Sequence, residues 1–339
     1  MESVKIGING LGRIGKLVFR LIAETPGMEV VQVNDKIDSE LLVHLLKFDT
    51  VHGRFKAEIS ETADGILFNG KEIRVTHEHH PSHIPWSLSG AEIVVESSGK
   101  FKTMPLLQQH IHNGVRKVIL TCPADDDSID RTVVMGINHH ELRAEDRVVS
   151  NASCTTNCVA MMLKVMHDAF GVRRAFMNTV HPFTNNQSLL DGPHSDFRRA
   201  RAAVGNIIPT TTSAIRAVPL VMPEMRGRFD GFATRVPVLD GSFVELTAEI
   251  GTDVNPRIVN DAFLTASFGY LKPYLAYSED PLVSSDVIGN PNSAIFDALS
   301  TKVIGKNLVQ ILAWYDNESG YANRIIDLLK LIISFNAKQ

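Results

Sequence analysis

The stretch that most restricts how this chain can fold is its first 35 residues. Val4–Asn9 alternates toward a buried strand, Gly10-Leu11-Gly12-Arg13-Ile14-Gly15 follows at once, and Lys16–Ala23 has helical apolar spacing. Beyond Pro26-Gly27, Glu29–Val33 reads as a second strand and closes on Asn34-Asp35. A G-x-G-x-x-G pattern alone is weak. Here a strand precedes it, a helix follows it, and Asp35 stands 20 residues beyond Gly15, the context that marks a dinucleotide site. Gly10 serves the tight turn, Gly12 lets a pyrophosphate approach the backbone, and Gly15 allows close helix–strand packing. The helix N-terminus then faces the phosphates. Asp35 would bond the adenine ribose hydroxyls and repel a 2′-phosphate, which favours NAD over NADP, and the neighbouring Lys36 tempers that preference. The competing reading is a glycine-rich turn that binds nothing.

Helix and strand patterns alternate up to about residue 150. Ser39–Phe48 reads as a helix with Ser39 as its cap and Leu41, Leu42, Leu45 and Leu46 on the buried face. Residues 50–80 read as short strands with turns at Asp64-Gly65 and Asn69-Gly70, the second a strong hairpin signal. His77, His79, His80 and His83 form a cluster, but Pro81 interrupts it and no cysteine or carboxylate completes a ligand set. It reads as a solvated loop, and no metal is expected. Glu92–Val95 is a strand that places Ser97, Ser98 and Gly99 at its carboxyl end, where doubly wound sheets bind ligands. Lys117–Leu120 with Thr121, Thr132–Met135 and Arg147–Val149 supply the last strands. Later strands, Phe176–Val180, Phe232–Val238, Phe243–Ile250 and Leu308–Tyr315, alternate and have longer connections, as in an antiparallel sheet. From Tyr321 onward Ile325, Ile326, Leu328, Leu329 and Ile332 form a helical stripe, read as a core helix rather than a membrane or partner helix. The fold class is α/β: a Rossmann-type doubly wound parallel sheet plus an α+β catalytic domain with a mostly antiparallel sheet. The expected division is 1–153 as nucleotide-binding domain, with a C-terminal helix 319–339 docking back on it, and 154–318 as catalytic domain.

A second feature is the run Ser150–Val159, SNASCTTNCV. Strand-like Arg147–Val149 precedes it and an apolar helical pattern follows, so Cys154 falls where a strand hands over to a helix. The helix N-terminus favours a thiolate, the nucleophilic form of cysteine. A packed, inert cysteine is the bland alternative. The Cys154–Cys158 spacing is not C-x-x-C, and no second pair completes a zinc site; Cys158 is read as packing. His181 at a strand end could serve as base. Arg198, Arg199 and Arg201 allow a solvated basic face, whereas Arg235 interrupts an apolar strand and calls for an anion. Three cysteines in 339 residues indicate a reducing compartment. A net charge of -4 speaks against a dedicated nucleic-acid binder. The start, Met1–Lys5, has no signal-peptide pattern, and no apolar run approaches the ~18–20 residues of a membrane span. A cytoplasmic location is the expectation. A thiol nucleophile, an imidazole base and a nicotinamide together describe oxidation of an aldehyde through a hemithioacetal to a thioester.

These residues carry a resemblance. INGLGRIG at 8–15, HLLKFDTVHGRF at 44–55, SNASCTTNC at 150–158, TVH at 179–181, RRARAA at 198–203, IIPTTT at 207–212, TRVPV at 234–238 and WYDNE at 314–318 resemble the phosphorylating glyceraldehyde-3-phosphate dehydrogenases nearly end to end. The resemblance implies Cys154 as nucleophile and His181 as its partner. It brings Arg13 and Ile14 to the pyrophosphate, Asp35 to the adenosine ribose, Ser98 and Thr121 to the cofactor's path, and Asn317 to the nicotinamide amide. Thr184 and Arg235 resemble the site for the substrate phosphate. Ser153, Thr155 and Thr212, with Ser213 beside them, resemble the site for attacking inorganic phosphate. It further implies a glycolytic NAD enzyme making 1,3-bisphosphoglycerate, and a homotetramer in which 182–206 reaches a neighbouring subunit. Ser213 stands where the family usually has Gly, and Asn186 where many bacterial members have Asp or Thr. Ser319 replaces a common Trp, Leu239-Asp240-Gly241 a common Pro-Asn-Val, and Ser98 a usual Thr. The alternatives are an erythrose-4-phosphate dehydrogenase, which hydrolyses its thioester, and a nucleotide- or RNA-binding protein without catalysis.

Overall fold

The computed structural model describes residues 3–63, 65–112 and 114–336. The turn expected at Asp64-Gly65 and the last residues of 319–339 fall partly outside the described residues. The chain forms two compact units: one of Met1–Val133, Glu141–Ala152 and Ala322–Gln339, the other of Val134–His140 and Ser153–Tyr321.

The first unit contains, in order, β1 (Val4–Asn9), α1 (Arg13–Ala23), β2 (Met28–Asn34), α2 (Ser39–Lys47), β3 (Ile59–Thr62), β4 (Gly65–Phe68), β5 (Lys71–Thr76), β6 (Ile93–Glu96), α3 (Met104–Leu107), β7 (Lys117–Leu120), β8 (Arg131–Thr132) and β9 (Val148–Ser150). Its sheet has the order β3-β4-β5-β2-β1-β6-β7-β9-β8. All neighbours from β5 to β8 are parallel, and only the β3-β4-β5 edge is antiparallel. The order turns back at β1, which has β2 on one side and β6 on the other, and ligands bind outside the carboxyl ends of such a switch point. α1 forms because Leu17, Val18, Phe19 and Ile22 fall on one buried face. The Asn69-Gly70 hairpin is present between β4 and β5, with φ of 47° and 79° as a tight two-residue turn requires.

Local details differ from expectation. The cap of α2 is Asp38, not Ser39: the Asp38 carboxylate accepts the Leu41 N–H at 2.8 Å. The buried residues are Leu42, Val43 and Leu46, whereas Leu41 is exposed and Leu45 half-buried. The strand expected over Thr132–Met135 stops at Thr132, because the Val134 N–H is taken by the Asn138 side chain and its carbonyl closes a turn to Ile137. His77, His79, His80 and His83 are all exposed.

The second unit begins with α4 (Cys154–Phe170), followed by β10 (Val172–Pro182), β11 (Ile208–Thr210), α5 (Ala214–Val221), β12 (Phe229–Val236), β13 (Ser242–Ile250), α6 (Pro256–Phe268), β14 (Leu275–Ser278), β15 (Ala294–Ile304) and β16 (Leu308–Tyr315). The sheet order is β11-β12-β10-β13-β16-β15-β14, mostly antiparallel, with β10–β12 and β14–β15 parallel. Strand β15 and helix α6 carried no expectation, although Asn255 caps α6 and Pro256 opens it, a signal legible in the sequence. The last helix, α7 (Ser319–Asn336), buries the expected Ile325, Ile326, Leu328, Leu329 and Ile332. Among the described residues no helix is long and apolar enough to cross a membrane.

Candidate active site

In the first unit a cavity of about 230 Å³ lies at the carboxyl ends of β2, β1 and β6. Asn9, Gly10, Gly12, Asn34, Asp35 and Ser98 line it, with Lys36, His79 and Lys100. The three glycines of the loop divide their work as the motif requires. Gly10 has φ +88°, and a Cβ there would come within 2.5 Å of the Ser98 backbone. A Cβ on Gly15 would collide with the Gly10 carbonyl, so α1 can pack against the loop only without one. A Cβ on Gly12 would meet nothing within 4 Å. That open approach, beside the start of α1, suits a pyrophosphate. Asp35 folds back onto the loop: Oδ2 accepts Leu11 N–H at 2.6 Å, and Oδ1 accepts Lys36 N–H at 2.6 Å. Ser98 stands two residues past β6, and Thr121 follows β7 with its N–H and hydroxyl both on the Glu96 carbonyl at 3.0 and 3.1 Å. The Arg13 guanidinium is taken by Asp49 through two hydrogen bonds, 2.5 and 3.0 Å. The first-turn backbone of Arg13 and Ile14 is therefore the part suited to a phosphate. The Gly12 opening, the α1 terminus and the Asp35 carboxylate fit an NAD molecule.

In the second unit Cys154 is the first residue of α4. Ser153 caps that helix, its hydroxyl accepting the Thr156 N–H at 3.0 Å. The preceding Ala152 has φ 54°, a left-handed conformation costly for a residue with a Cβ. Cys154 Sγ lies 3.6 Å from His181 Nε2. His181 is the last residue but one of β10, and the parallel register places it directly beside Arg235 of β12. Arg235 Nη1 reaches His181 Nδ1 at 2.5 Å and the Pro182 carbonyl at 2.9 Å, and Pro182 O also lies 2.9 Å from Nδ1. A guanidinium N–H requires a lone pair on Nδ1, while a carbonyl requires a proton there. Because Nη1 donates to both acceptors, the imidazole carries its proton on Nε2, facing the sulfur.

Burial governs the charge states. It pulls His181 down to about 3, aided by the Arg235 cation and opposed by the Pro182 carbonyl, so the ring is neutral. It pushes the Cys154 thiol up to about 11, against the Arg235 cation and hydrogen bonds from Thr155. The sequence led us to expect a sulfur held ionised at a helix terminus. In the resting protein removal from water works against the terminus and the cation, and raises the thiol instead. Cys158 is fully buried, 3.9 Å from the Ala313 carbonyl, and is packing as expected.

Tyr315, which carried no expectation, ties the site together. Its hydroxyl lies 2.9 Å from both Thr155 Oγ1 and Thr179 Oγ1, and its ring meets His181 edge-on at 6.2 Å. Asn317, two residues on, has its Oδ1 held by the Ser242 hydroxyl at 2.7 Å. Among the described residues Arg235 Nε is buried without a hydrogen-bond partner, an orphaned cationic donor that suits an anion. Arg199 bears on it electrostatically and is itself fixed to Thr210 Oγ1 and the Thr211 carbonyl at 2.8 and 2.9 Å. Thr184 stands two residues past β10, its carbonyl accepting the Gln187 N–H. Thr212 and Ser213 open α5, with Thr212 Oγ1 accepting the Ala214 N–H. Cys154, His181, Arg235 and Thr155 are thus brought together. Among the described residues Thr184, Thr212 and Ser213 make no hydrogen bond to that group.

Residues 4–104 match the family model described as glyceraldehyde 3-phosphate dehydrogenase, NAD binding domain, and residues 153–317 match its C-terminal domain. The chain is 50% identical over 331 residues to glyceraldehyde-3-phosphate dehydrogenase 1 of Bacillus cereus, covering 97% of this chain and 98% of that protein. It is 49% identical over 333 residues to the glyceraldehyde-3-phosphate dehydrogenase of Geobacillus stearothermophilus, covering 98% and 99%. The enzyme of the same name from Borreliella burgdorferi is 44% identical over 337 residues, covering 97% and 100%. With two family models matched in order and this identity over nearly the whole length, the chain belongs to the glyceraldehyde-3-phosphate dehydrogenase family of NAD-dependent oxidoreductases.

Proposed function

We propose that the chain oxidises D-glyceraldehyde 3-phosphate, with NAD and inorganic phosphate, to 1,3-bisphosphoglycerate. The observation that carries this reading is Cys154 Sγ lying 3.6 Å from His181 Nε2, with Arg235 on the far nitrogen of the same ring. In this reading Thr184 and Arg235 bind the substrate phosphate. Once the Arg235 guanidinium engages that anion, His181 Nδ1 is released to the Pro182 carbonyl, and the proton moves to Nδ1. Nε2 then takes the thiol proton while Sγ forms a bond to the aldehyde carbon. Nε2 hands that proton to the carbonyl oxygen as the C=O π bond opens, giving the hemithioacetal hydroxyl, and takes it back when the hydride leaves. When bound, the nicotinamide supplies the acceptor for the hydride that leaves that carbon, so a thioester remains on Cys154. Ser153, Thr155, Thr212 and Ser213 hold the phosphate that attacks the thioester, releasing the acyl phosphate and restoring the sulfur.

The loop of Gly10, Gly12 and Gly15, with Arg13 and Ile14, would hold the pyrophosphate, and Asp35 the ribose. Ser98 and Thr121 would line the cofactor's path. The Ser242 bond to Asn317 Oδ1 leaves the amide nitrogen of Asn317 to meet the carboxamide. We assign nucleotide binding to 1–153 with helix 319–339, and catalysis to 154–318. We further propose a homotetramer in the cytoplasm. Leu190 and Phe197, 74% and 89% exposed within 182–206, support burial of that stretch against another subunit. The three cysteines, all free, support a reducing location.

Steady-state NADH formation tests the reading. The rate should rise with added phosphate and saturate. A rate indifferent to phosphate would replace it with the hydrolytic erythrose-4-phosphate activity. Cys154→Ser should abolish turnover and leave NAD binding intact; retained turnover would sink the assigned chemistry.

A further inference from the structure

The carboxyl ends of four neighbouring parallel strands share one level: Thr76 of β5 pairs with Asn34 of β2, Asn34 with Asn9 of β1, and Asn9 with Glu96 of β6. Their side chains form a hydrogen-bonded ladder along that row. Thr76 Oγ1 donates to Asn34 Oδ1 at 2.9 Å, Asn34 Nδ2 to Asn9 Oδ1 at 2.8 Å, and Asn9 Nδ2 to Glu96 Oε2 at 2.5 Å. A second arm reaches Glu96 through His110. The Trp86 indole can only donate, so His110 Nδ1 accepts from it at 3.2 Å and Nε2 carries the proton to Glu96 Oε2 at 2.9 Å. The other carboxylate oxygen, Oε1, accepts the Ser98 N–H at 2.8 Å and the Ser98 hydroxyl at 2.5 Å. Glu96, His110 and Trp86 are fully buried, and Asn9 and Asn34 nearly so. Every donor in both arms points toward one carboxylate.

We propose that Glu96 is a positioning residue for NAD, holding the Ser98 edge of the cofactor cavity and, through it, the glycine loop. The inference rests on the reading that this cavity receives NAD. Ser98 is the surface on which Gly10 packs, and Ser97 donates its hydroxyl to the Gly10 carbonyl. The Glu96 backbone carbonyl also anchors Thr121. Glu96 meets the cavity through Ser98 and Asn9, which line it, and acts on the cofactor through them.

The ladder explains why an amide cannot substitute. Gln at 96 brings two N–H donors to a place where every neighbour already donates. Turned one way, they face Asn9 Nδ2 and His110 Nε2; turned the other, they face the Ser98 N–H. Flipping Asn9 to compensate requires flipping Asn34, whose Oδ1 also accepts the Glu78 N–H at 2.8 Å and so resists. The conflict falls on Ser98 and Asn9, both of which line the cavity.

The test uses the full-length enzyme, with NAD as probe. Glu96→Gln should raise the Kd for NAD and the KM for NAD by about tenfold, with kcat at saturating NAD and the KM for the aldehyde within about twofold of the parent. Amide hydrogen exchange should quicken at 97–99 and 121 and stay unchanged in the second unit's sheet. His110→Phe removes one of four donors and keeps a ring in the pocket; it should raise the NAD Kd about threefold. If Glu96→Gln does not fold, His110→Phe carries the test alone. A folded Glu96→Gln with unaltered Kd, or His110→Phe with unaltered Kd, overturns the proposal. Asp35→Ala separates the two readings: if it leaves NAD binding unchanged, the cavity assignment itself has failed, whereas weakened binding there with none in Glu96→Gln sinks only the role of Glu96.

Discussion

Cys154, His181 and Arg235 work against one another in the resting protein. The cation that favours a thiolate also keeps protons off the imidazole, and burial opposes charge on both. A thiol pushed up to about 11 should be slow to alkylate at neutral pH. In the ligand-free enzyme, the iodoacetamide rate at Cys154 should climb steadily from pH 7 to 10; a plateau near pH 7 would show a preformed ion pair instead. Arg235→Met tests the same triangle from the other side. Its loss removes a desolvated, charge-assisted anion contact, so the KM for the phosphorylated aldehyde should rise about 10–100-fold while kcat changes less. An equal fall in kcat with an unchanged KM would remove Arg235 from substrate binding. The sequence named these three residues, because a cysteine at a helix start and an arginine inside an apolar strand are anomalous. It did not name Tyr315, whose hydroxyl looks like any other until Thr155 and Thr179 are seen on either side of it.

At the level of the element, the strand–glycine loop–helix at the N-terminus separates two kinds of glycine by what surrounds them. Gly12→Ala meets open space and has an ordinary backbone, so the fold should hold to within about 1 kcal/mol while NAD affinity drops at least tenfold. Gly15→Ala collides with a backbone carbonyl that cannot yield cheaply. Thermal unfolding should show a loss of about 2–4 kcal/mol, whether or not NAD is present. Equal effects of the two changes on stability would contradict this division. Helix ends were less legible than helix faces. Asp38 and Ser39 are both good caps, and only the path of the chain decides which side chain turns back to the Leu41 N–H. Strand β15 escaped notice because its pairing register with β16 shifts between Asp297 and Lys302, which breaks the alternation that reveals a strand.

For the molecule as a whole, the departure Leu239-Asp240-Gly241 has a consequence for stability against pH. A Cβ at Gly241 would strike the Ser284 carbonyl, and φ there is +84°, so glycine is required at this bend. Asp240 beside it is buried. Removal from water, then the charges of Asp316 and Glu318, push its carboxyl up to about 8. An unfolded chain would release that proton near pH 4. The native state therefore binds one more proton between about pH 4 and 8, and the stability this group contributes is complete below that window and lost as pH rises through about 8. Asp240→Asn has no proton to lose, so the fall in Tm between about pH 5 and 8 should flatten. A Tm profile parallel to the parent's would show that Asp240 is ionised throughout.

The parallel and antiparallel character of the two sheets and the dinucleotide loop follow from the sequence alone, and so does the singling out of Cys154. They depend on local spacing: apolar periodicity, glycines at fixed intervals, a polar block at a strand's end. Tertiary structure decided what depends on neighbours far along the chain. It set His181 beside Arg235 through the register of β10 and β12, pushed the Cys154 thiol up, and gathered Asn9, Asn34, His110 and Ser98 toward Glu96. Charge state and hydrogen-bond direction belong to the surroundings of a group rather than to its type, and only the folded chain supplies those surroundings.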